Sequence, residues 1–278
     1  MNVRGANQAI AARETSTGEA PVEADREITN AKAAAWDGLG SSYWNRNYDG
    51  GPTPAACAQY LEGLNAGGRV LLVGASTIAL ARAVLDAGAG LVVADFSAVM
   101  LAELERLLPD RAELVQSDVT RGDARFDDTF DLVIADRLVN RFVRAELHSA
   151  LRTLSAAVRP GGTMRLSYRL GLYERDRAVL TEAARRGQLA AVFDETELDV
   201  DYSAAAEWLG TVLPPHGDIP MGALVDFYVA RGREHRIRPG ELDELTARAV
   251  PPDFRYEIAH PQVPGQSNDF LLQVTRLP

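Results

Sequence analysis

The stretch from Gly68 to Asp95, GRVLLVGASTIALARAVLDAGAGLVVAD, restricts the fold more than any other part of the chain. Val70-Leu71-Leu72-Val73 is an apolar run of the length of a buried strand. It stops at Gly74. Ile78, Arg82 and Leu85 then recur at helical spacing with Val84 beside them, and Gly88 stands where a helix would end. A second apolar run, Leu91-Val92-Val93-Ala94, finishes in Asp95. The unit reads strand, tight turn, helix, strand, with an acid at the tip of the second strand. Ligands of such units sit over the strand ends. An acid about 20 residues beyond the turn can accept hydrogen bonds from both hydroxyls of a ribose. The stretch therefore points to a nucleoside-containing cofactor and leaves its identity open.

The rest of the chain extends the alternation. Ser97 can cap a helix running to Leu108, where Pro109 bars continuation. Ala112 to Gln116 reads as a third strand, Phe130 to Ala135 as a fourth, and Thr163 to Tyr168 as a fifth. A helix with Leu147, Leu151, Leu154 and Val158 on one face precedes an Arg159-Pro160-Gly161-Gly162 turn. Strands alternating with helices at this spacing predict an α/β fold, a doubly wound parallel sheet with helices on both faces. The C-terminal region breaks that rhythm. It predicts helices over 173–186, 203–213, 221–230 and 239–250, then strands over 254–260 and 270–275 joined as an antiparallel hairpin. Five segments follow: a disordered tail (1–22), an aromatic-rich helical lid (23–66), the cofactor-binding core (67–187), a substrate-side insertion (188–236), and a final helix and hairpin (237–278).

Charge and composition narrow the function. A net charge of -10 disfavours nucleic acid or an anionic membrane as partner. The single cysteine, Cys57, allows no internal disulfide and fits a reducing cytoplasm. No apolar run reaches the roughly 20 residues of a membrane span, and the N-terminal residues carry no signal-peptide core. Four scattered His and one Cys do not form a zinc pattern, so no metal is expected. The chain has no Gly-x-Ser-x-Gly elbow and no P-loop. Of the Gly-x-Gly-x-x-Gly that a nicotinamide cofactor would need, only Gly74 is kept. The oligomeric state is left open.

The order WDGLGSSY, VLLVGAS, VVADFSAVML, VQSDV, FDLVIADRLVNRF and VRPGGTMRLS resembles the class I S-adenosylmethionine-dependent methyltransferase family. The resemblance covers about 36–169, and again 239 to the end. It implies a Rossmann-like, seven-stranded sheet whose last strand is antiparallel, and S-adenosyl-L-methionine as cofactor. It places Gly74, Ala75 and Ser76 in the first cofactor turn, Asp95 at the ribose, and Phe96 near the adenine. Asp118 falls near the adenine amino group with Val119 beside it, Asp136 ends the fourth strand, and Tyr43 belongs to the lid.

The first motif departs from the family's Gly-x-Gly-x-Gly: Ser76 and Ile78 replace two glycines, and the preceding acid is absent. Those glycines permit positive φ and close approach of the backbone to the cofactor. The adenosine half of the site reads as intact and the methionine half as crowded by Ser76 and Ile78, so the cofactor is expected to be weakly bound or repurposed. The acceptor side offers Trp44, Arg137, Arg141 and Tyr168 for a small-molecule substrate, the arginines by bidentate pairing with a carboxylate. His216 in the insertion and Asn140 after the fourth strand are the catalytic candidates. Asn140 reads equally as a helix cap, and Tyr168 as a packed aromatic. The leading reading is transfer of methyl, or another group, to a small molecule in specialised metabolism. The alternatives are an isomerase or cyclase on the same fold, or a non-catalytic binding protein.

Overall fold

The computed structural model describes residues 32–38, 51–217 and 219–278. The expected tail and the lid aromatics Tyr43 and Trp44 lie outside the described residues. Residues 32–38 are helical (α1). There follow α2 (Pro54–Tyr60), β1 (Arg69–Val73), α3 (Ile78–Asp86), β2 (Gly90–Asp95), α4 (Ala98–Leu107), β3 (Glu113–Gln116), β4 (Phe130–Ala135) and α5 (Arg144–Ala157). Next come β5 (Val158–Arg169), α6 (Glu174–Arg185), α7 (Leu189–Val192), β6 (Phe193–Asp194), β7 (Asp199–Asp201), α8 (Met221–Arg231) and β8 (Arg233–His235). α9 (Glu241–Ala249), β9 (Tyr256–Ala259) and β10 (Asp269–Arg276) end the chain.

Seven strands form one sheet in the order β3-β2-β1-β4-β5-β10-β9. β1 pairs in parallel with β2 on one side and β4 on the other. β10 runs antiparallel to both β5 and β9, as the hairpin requires. Neighbouring residues in the strands face opposite layers. Leu72, Val93, Ile134 and Leu271 pack toward α2, α3 and α4. Leu71, Val92, Val133 and Leu272 pack toward α5 and α9. Burial on both faces is why these strands read as unbroken apolar runs. The strand order reverses at β1, and a crevice opens beyond the ends of β1 and β4.

Local chemistry sets the helix starts. Ser97 Oγ accepts from Met100 N at 3.1 Å and caps α4. Thr53 does the same for α2, with Pro54 as its first residue. Glu146 reaches back to Val143 N at 2.9 Å at the start of α5. The 159–162 segment departs from its expected turn. β5 already begins at Val158 and absorbs the turn as an irregularity in its pairing with β4. A Cβ on Gly162 would lie 2.9 Å from the carbonyl oxygens of both Phe130 and Asp131. Only glycine lets β5 approach β4 that closely.

Residues 193–235 add a second antiparallel sheet, β6-β7-β8, and α8. The helix expected over 203–213 is instead two short 3₁₀ turns, Ser203–Ala205 and Leu209–Thr211. His235 locks this unit to the main domain. It is fully buried, with Nδ1 2.8 Å from Asp199 and Nε2 2.9 Å from Glu241, and its amide donates to Phe142 O. Burial pushes the imidazole pKa down, but the hydrogen bonds to Asp199 and Glu241 outweigh it and raise it to about 9. A folded-state pKa above the ordinary 6.5 means that the stabilisation is full below pH 6.5 and is lost as pH rises through about 9. Below pH 6.5 wild type should exceed His235→Gln by roughly 1.5–3 kcal/mol, the range for hydrogen bonds to charged groups. Denaturant titrations across this pH window check that the difference shrinks on the alkaline side.

Candidate active site: two cavities with a common wall

The smaller cavity, about 130 Å³, opens beyond the ends of β1, β2 and β3. Gly74 makes the turn after β1 at φ 101°. Asp95, at the tip of β2, accepts from Ala75 N at 2.7 Å through one carboxylate oxygen and from Ser97 N at 2.8 Å through the other. Burial pushes its carboxyl up to about 6, against the pull of these two amides. Each carboxylate oxygen has a second lone pair, so Asp95 can still accept from a ligand hydroxyl. Asp118 Oδ1 takes the amide and hydroxyl of Thr120, at 3.0 and 2.7 Å. Its Oδ2 is buried without a hydrogen bond, although Arg121 Nε lies 2.9 Å away as an ion-pair partner. The Asp95 carboxylate and the Asp118 oxygen beside the Arg121 charge are acceptors of the kind an adenosine moiety would meet, with Phe96 and Val119 on the same wall. The donor set on this side fits the cofactor.

The larger cavity, about 390 Å³, lies under the 193–235 unit. Trp36, Asp136, Arg137, Arg141 and Arg231 line both cavities. Asp136 ends β4 and accepts from Tyr60 Oη at 3.0 Å and Ser167 Oγ at 2.8 Å. Burial raises its pKa, opposed by the Arg137 charge beside it. Arg137 sits in the left-handed region at φ 55° and is held there by its amide donating to Ser167 Oγ at 2.7 Å. Such a conformation costs a non-glycine residue of order 1–3 kcal/mol and is typical of residues aimed at a site. α1 closes the cavities from outside. Lys32 pairs with Glu146 and donates to Arg141 O at 3.1 Å; Trp36 meets Phe227 edge-on, with ring centroids 5.0 Å apart.

Of the residues read from the sequence, Gly74, Ser76, Asp95, Phe96, Asp118, Val119 and Asp136 line the smaller cavity. Ala75 does not; it is fully buried, with its amide spent on Asp95. Ile78, expected to crowd the site, does not line the cavity; it is partly buried and packs against the core cluster. Arg137, Asn140, Arg141, Tyr168 and His216 line the larger cavity. Asn140 departs from its catalytic expectation: Nδ2 donates to Arg169 O at 3.0 Å and Oδ1 accepts from Arg169 N at 2.8 Å. Its amide fixes the end of β5 rather than an acceptor. The Tyr168 hydroxyl is 2.8 Å from His260 Nδ1, which links it to Asp243 on α9. Tyr43 and Trp44 lie outside the described residues. The sequence reading missed Lys32, Tyr173, Arg175, Tyr228 and Arg231, whose spacing carries no motif.

Residues 70–162 match the family model of a methyltransferase domain. A structure from Rhodobacter sphaeroides, provisionally named a Zn-dependent alcohol dehydrogenase, is 30% identical over 89% of this chain and 99% of its own, with a TM-score of 0.83. Among the described residues here, no group of three or more His, Cys, Asp or Glu could hold a metal ion. The Burkholderia thailandensis 1,6-didemethyltoxoflavin-N1-methyltransferase, solved with bound 1,6-didemethyltoxoflavin and S-adenosylhomocysteine, shares 15% identity over 94% of this chain and 93% of its own, at a TM-score of 0.56. The complex of DhpI with S-adenosylhomocysteine shares 17% identity over 91% of this chain and 98% of its own, at 0.55. No curated protein sequence matches the chain. The chain therefore has the Rossmann-like methyltransferase fold, and its residues 70–162 match a methyltransferase domain.

The Asp95 geometry yields a test. Asp95→Ala should weaken S-adenosylhomocysteine binding at least tenfold, since a hydrogen bond to a charged group contributes roughly 1.5–3 kcal/mol. In wild type the carboxylate is the accepting form and protonates near pH 6. Affinity should therefore hold above pH 7 and decline as pH falls through about 6. Calorimetry at several pH values reads both effects.

Proposed function

We propose that the chain transfers a methyl group from S-adenosylmethionine to a small-molecule acceptor held in the larger cavity. The observation that carries this reading is the common wall: one cavity fits adenosine, the other is large enough for an acceptor, and five residues line both. In this reading Asp95 takes the ribose hydroxyls and Asp118 the adenine amino group, with Phe96 and Val119 flanking the base. Gly74 and Ser76 face the methionine half. When bound, the cofactor supplies an electrophilic methyl carbon to an acceptor lone pair and leaves as S-adenosylhomocysteine. The chain's own work is to align the acceptor, exclude water and remove its proton.

Asp136 is suited to the last task. It lies on the common wall and its pKa is raised by burial toward the working range of a general base. Arg137 beside it balances the carboxylate charge. Trp36 and α1 shield the junction from solvent. His216 lines the acceptor cavity and is the second candidate for proton removal. Residues 23–66 then act as the lid and 188–236 as the acceptor-side cap, in a cytoplasmic enzyme of specialised metabolism. No helix among the described residues is long and apolar enough to cross a membrane.

Incubating the protein with S-adenosylmethionine and a panel of phenols, amines and carboxylic acids, then measuring S-adenosylhomocysteine release by mass spectrometry, tests the reading. Asp136→Asn should lower kcat by roughly a hundredfold, the lower range for general-base catalysis, with a smaller change in KM. An unchanged kcat would transfer the role to His216.

One observation favours the non-methylating alternative. Ser76 puts a Cβ into the cofactor cavity where the family carries glycine. Ser76→Gly should raise affinity for S-adenosylmethionine but not for adenosine. If wild type already prefers S-adenosylmethionine over adenosine a hundredfold, roughly 2.7 kcal/mol, the loop holds the methionine half as it stands and the alternative falls.

A further inference from the structure

The wall of the larger cavity carries more positive charge than its own acids neutralise. Arg236 is fully buried and grips Asp176 with two nitrogens, at 2.6 and 3.1 Å. Glu234, also fully buried, contacts Arg231 and takes a further bond from Arg236 at 2.9 Å. These two carboxylates answer Arg236 and Arg231. Arg141 and Arg175 remain: they reach Glu234 at 3.5 and 3.8 Å, and Arg175 Nε donates to Tyr202 Oη at 3.0 Å and lies 3.9 Å from Asp176, but each carboxylate is already gripped by another arginine. Arg141 Nη1 and Arg175 Nη2 are both buried with no hydrogen-bond acceptor, and both residues line the cavity. Two guanidiniums are thus left without a carboxylate of their own. Other acids on this wall are occupied or outward: Asp269 pairs with Arg169, Asp136 is held by Tyr60 and Ser167, and Glu174 is exposed.

Burying a cation without a counter-charge is costly, and so is leaving its N–H groups unbonded. The surrounding groups register this excess. Burial, and then the Arg141 charge, push Arg231 well below its ordinary pKa. Burial pushes the Tyr228 phenol up, yet Arg175, Arg231 and Arg141 together hold it below its ordinary value. The missing partner is an anion. Guanidiniums match planar oxyanions with paired N–H donors. The same cavity is lined by aromatic side chains, Tyr168, Tyr173, Phe227 and Tyr228 among them, and Arg175 itself rests on the Tyr173 and Tyr228 rings.

We propose that the larger cavity binds an aromatic small molecule through an oxyanion group, carboxylate or phosphate, gripped by Arg141 and Arg175. The proposal names the acceptor class for the methyl-transfer reading and rests on it for catalytic meaning; the anion site itself can be measured without turnover.

The probes are 4-hydroxybenzoate, phenyl phosphate and the uncharged 4-hydroxybenzyl alcohol, titrated calorimetrically against the full chain with and without S-adenosylhomocysteine. At least one anion should bind tenfold or more tighter than the alcohol, and which of the two binds better distinguishes carboxylate from phosphate. Arg175→Met should abolish that preference, and Arg175→Lys should keep part of it, while S-adenosylhomocysteine affinity stays constant because Arg175 is absent from the smaller cavity's wall. In wild type the bound anion should also move tyrosinate absorbance near 295 nm to higher pH, a shift lost in Tyr228→Phe. Anions binding no tighter than the alcohol, or no probe binding at all, would overturn the proposal. So would Arg175→Met weakening S-adenosylhomocysteine instead, which would assign the cluster to the cofactor's own carboxylate. Failure of S-adenosylhomocysteine to bind, with the anion preference intact, would sink the methyl-transfer reading and leave the anion site standing.

Discussion

The Asp95 carboxylate is the joint on which the cofactor side of the structure depends. Its two oxygens bind the amides that open two different segments, Ala75 after β1 and Ser97 before α4. Ser97 in turn caps α4 through its hydroxyl and donates that hydroxyl to Asp37 on α1. A single acid at a strand tip thus sets the turn, the next helix and the covering helix relative to one another. Burial makes this carboxylate costly to ionise, and the Asp37 charge adds to the cost. A ligand that brings two more hydroxyl donors relieves that cost, so the residue that assembles the site also gains most when the site is filled.

Much of this was legible because the physics was local. Strands buried on both faces announce themselves as apolar runs, and caps such as Ser97 and Thr53 act within four residues. Asp95 and Asp118 follow strands, and both line the smaller cavity. The 193–235 unit was not. Its strands are two or three residues long, and β8 reads Arg-Glu-His, a polar run that looks exposed. Arg233 is exposed, but His235 and the next residue, Arg236, are buried because acids on other elements neutralise them: Asp199 and Glu241 for His235, Asp176 for Arg236. Asn140 illustrates the same limit. Nothing local says that its amide is used up by the backbone of Arg169, 29 positions along.

The covering helix depends on a second buried joint. Lys32 and Glu146 are both nearly inaccessible, and burial lowers the Lys32 pKa against the opposing pull of Glu146. Breaking such a pair by removing one partner costs about 3–5 kcal/mol, because the other charge stays buried alone. Glu146 also holds the first amide of α5, so the cover is fastened to the element that follows β4. α1 and Arg141 therefore share an anchor, because the Arg141 carbonyl takes the second Lys32 bond.

The altered glycine motif is less damaging than its letters suggest. The family's glycines serve two purposes, left-handed backbone and close approach, and the structure separates them. Positive φ is required only at Gly74; Ser76 is not among the described residues with positive φ, and Thr77 sits at φ -113°. The turn after β1 is therefore built without strain on a single glycine. Ile78, as the first residue of α3, is partly buried against the core cluster and is absent from the cavity wall. What remains is one Cβ and one hydroxyl, both from Ser76, on the wall of the cavity. A hydroxyl can donate to a carboxylate or accept from an ammonium, which a glycine cannot. The substitution thus adds a side-chain group to the cavity wall and leaves the carboxylates of Asp95 and Asp118 on that wall unaltered.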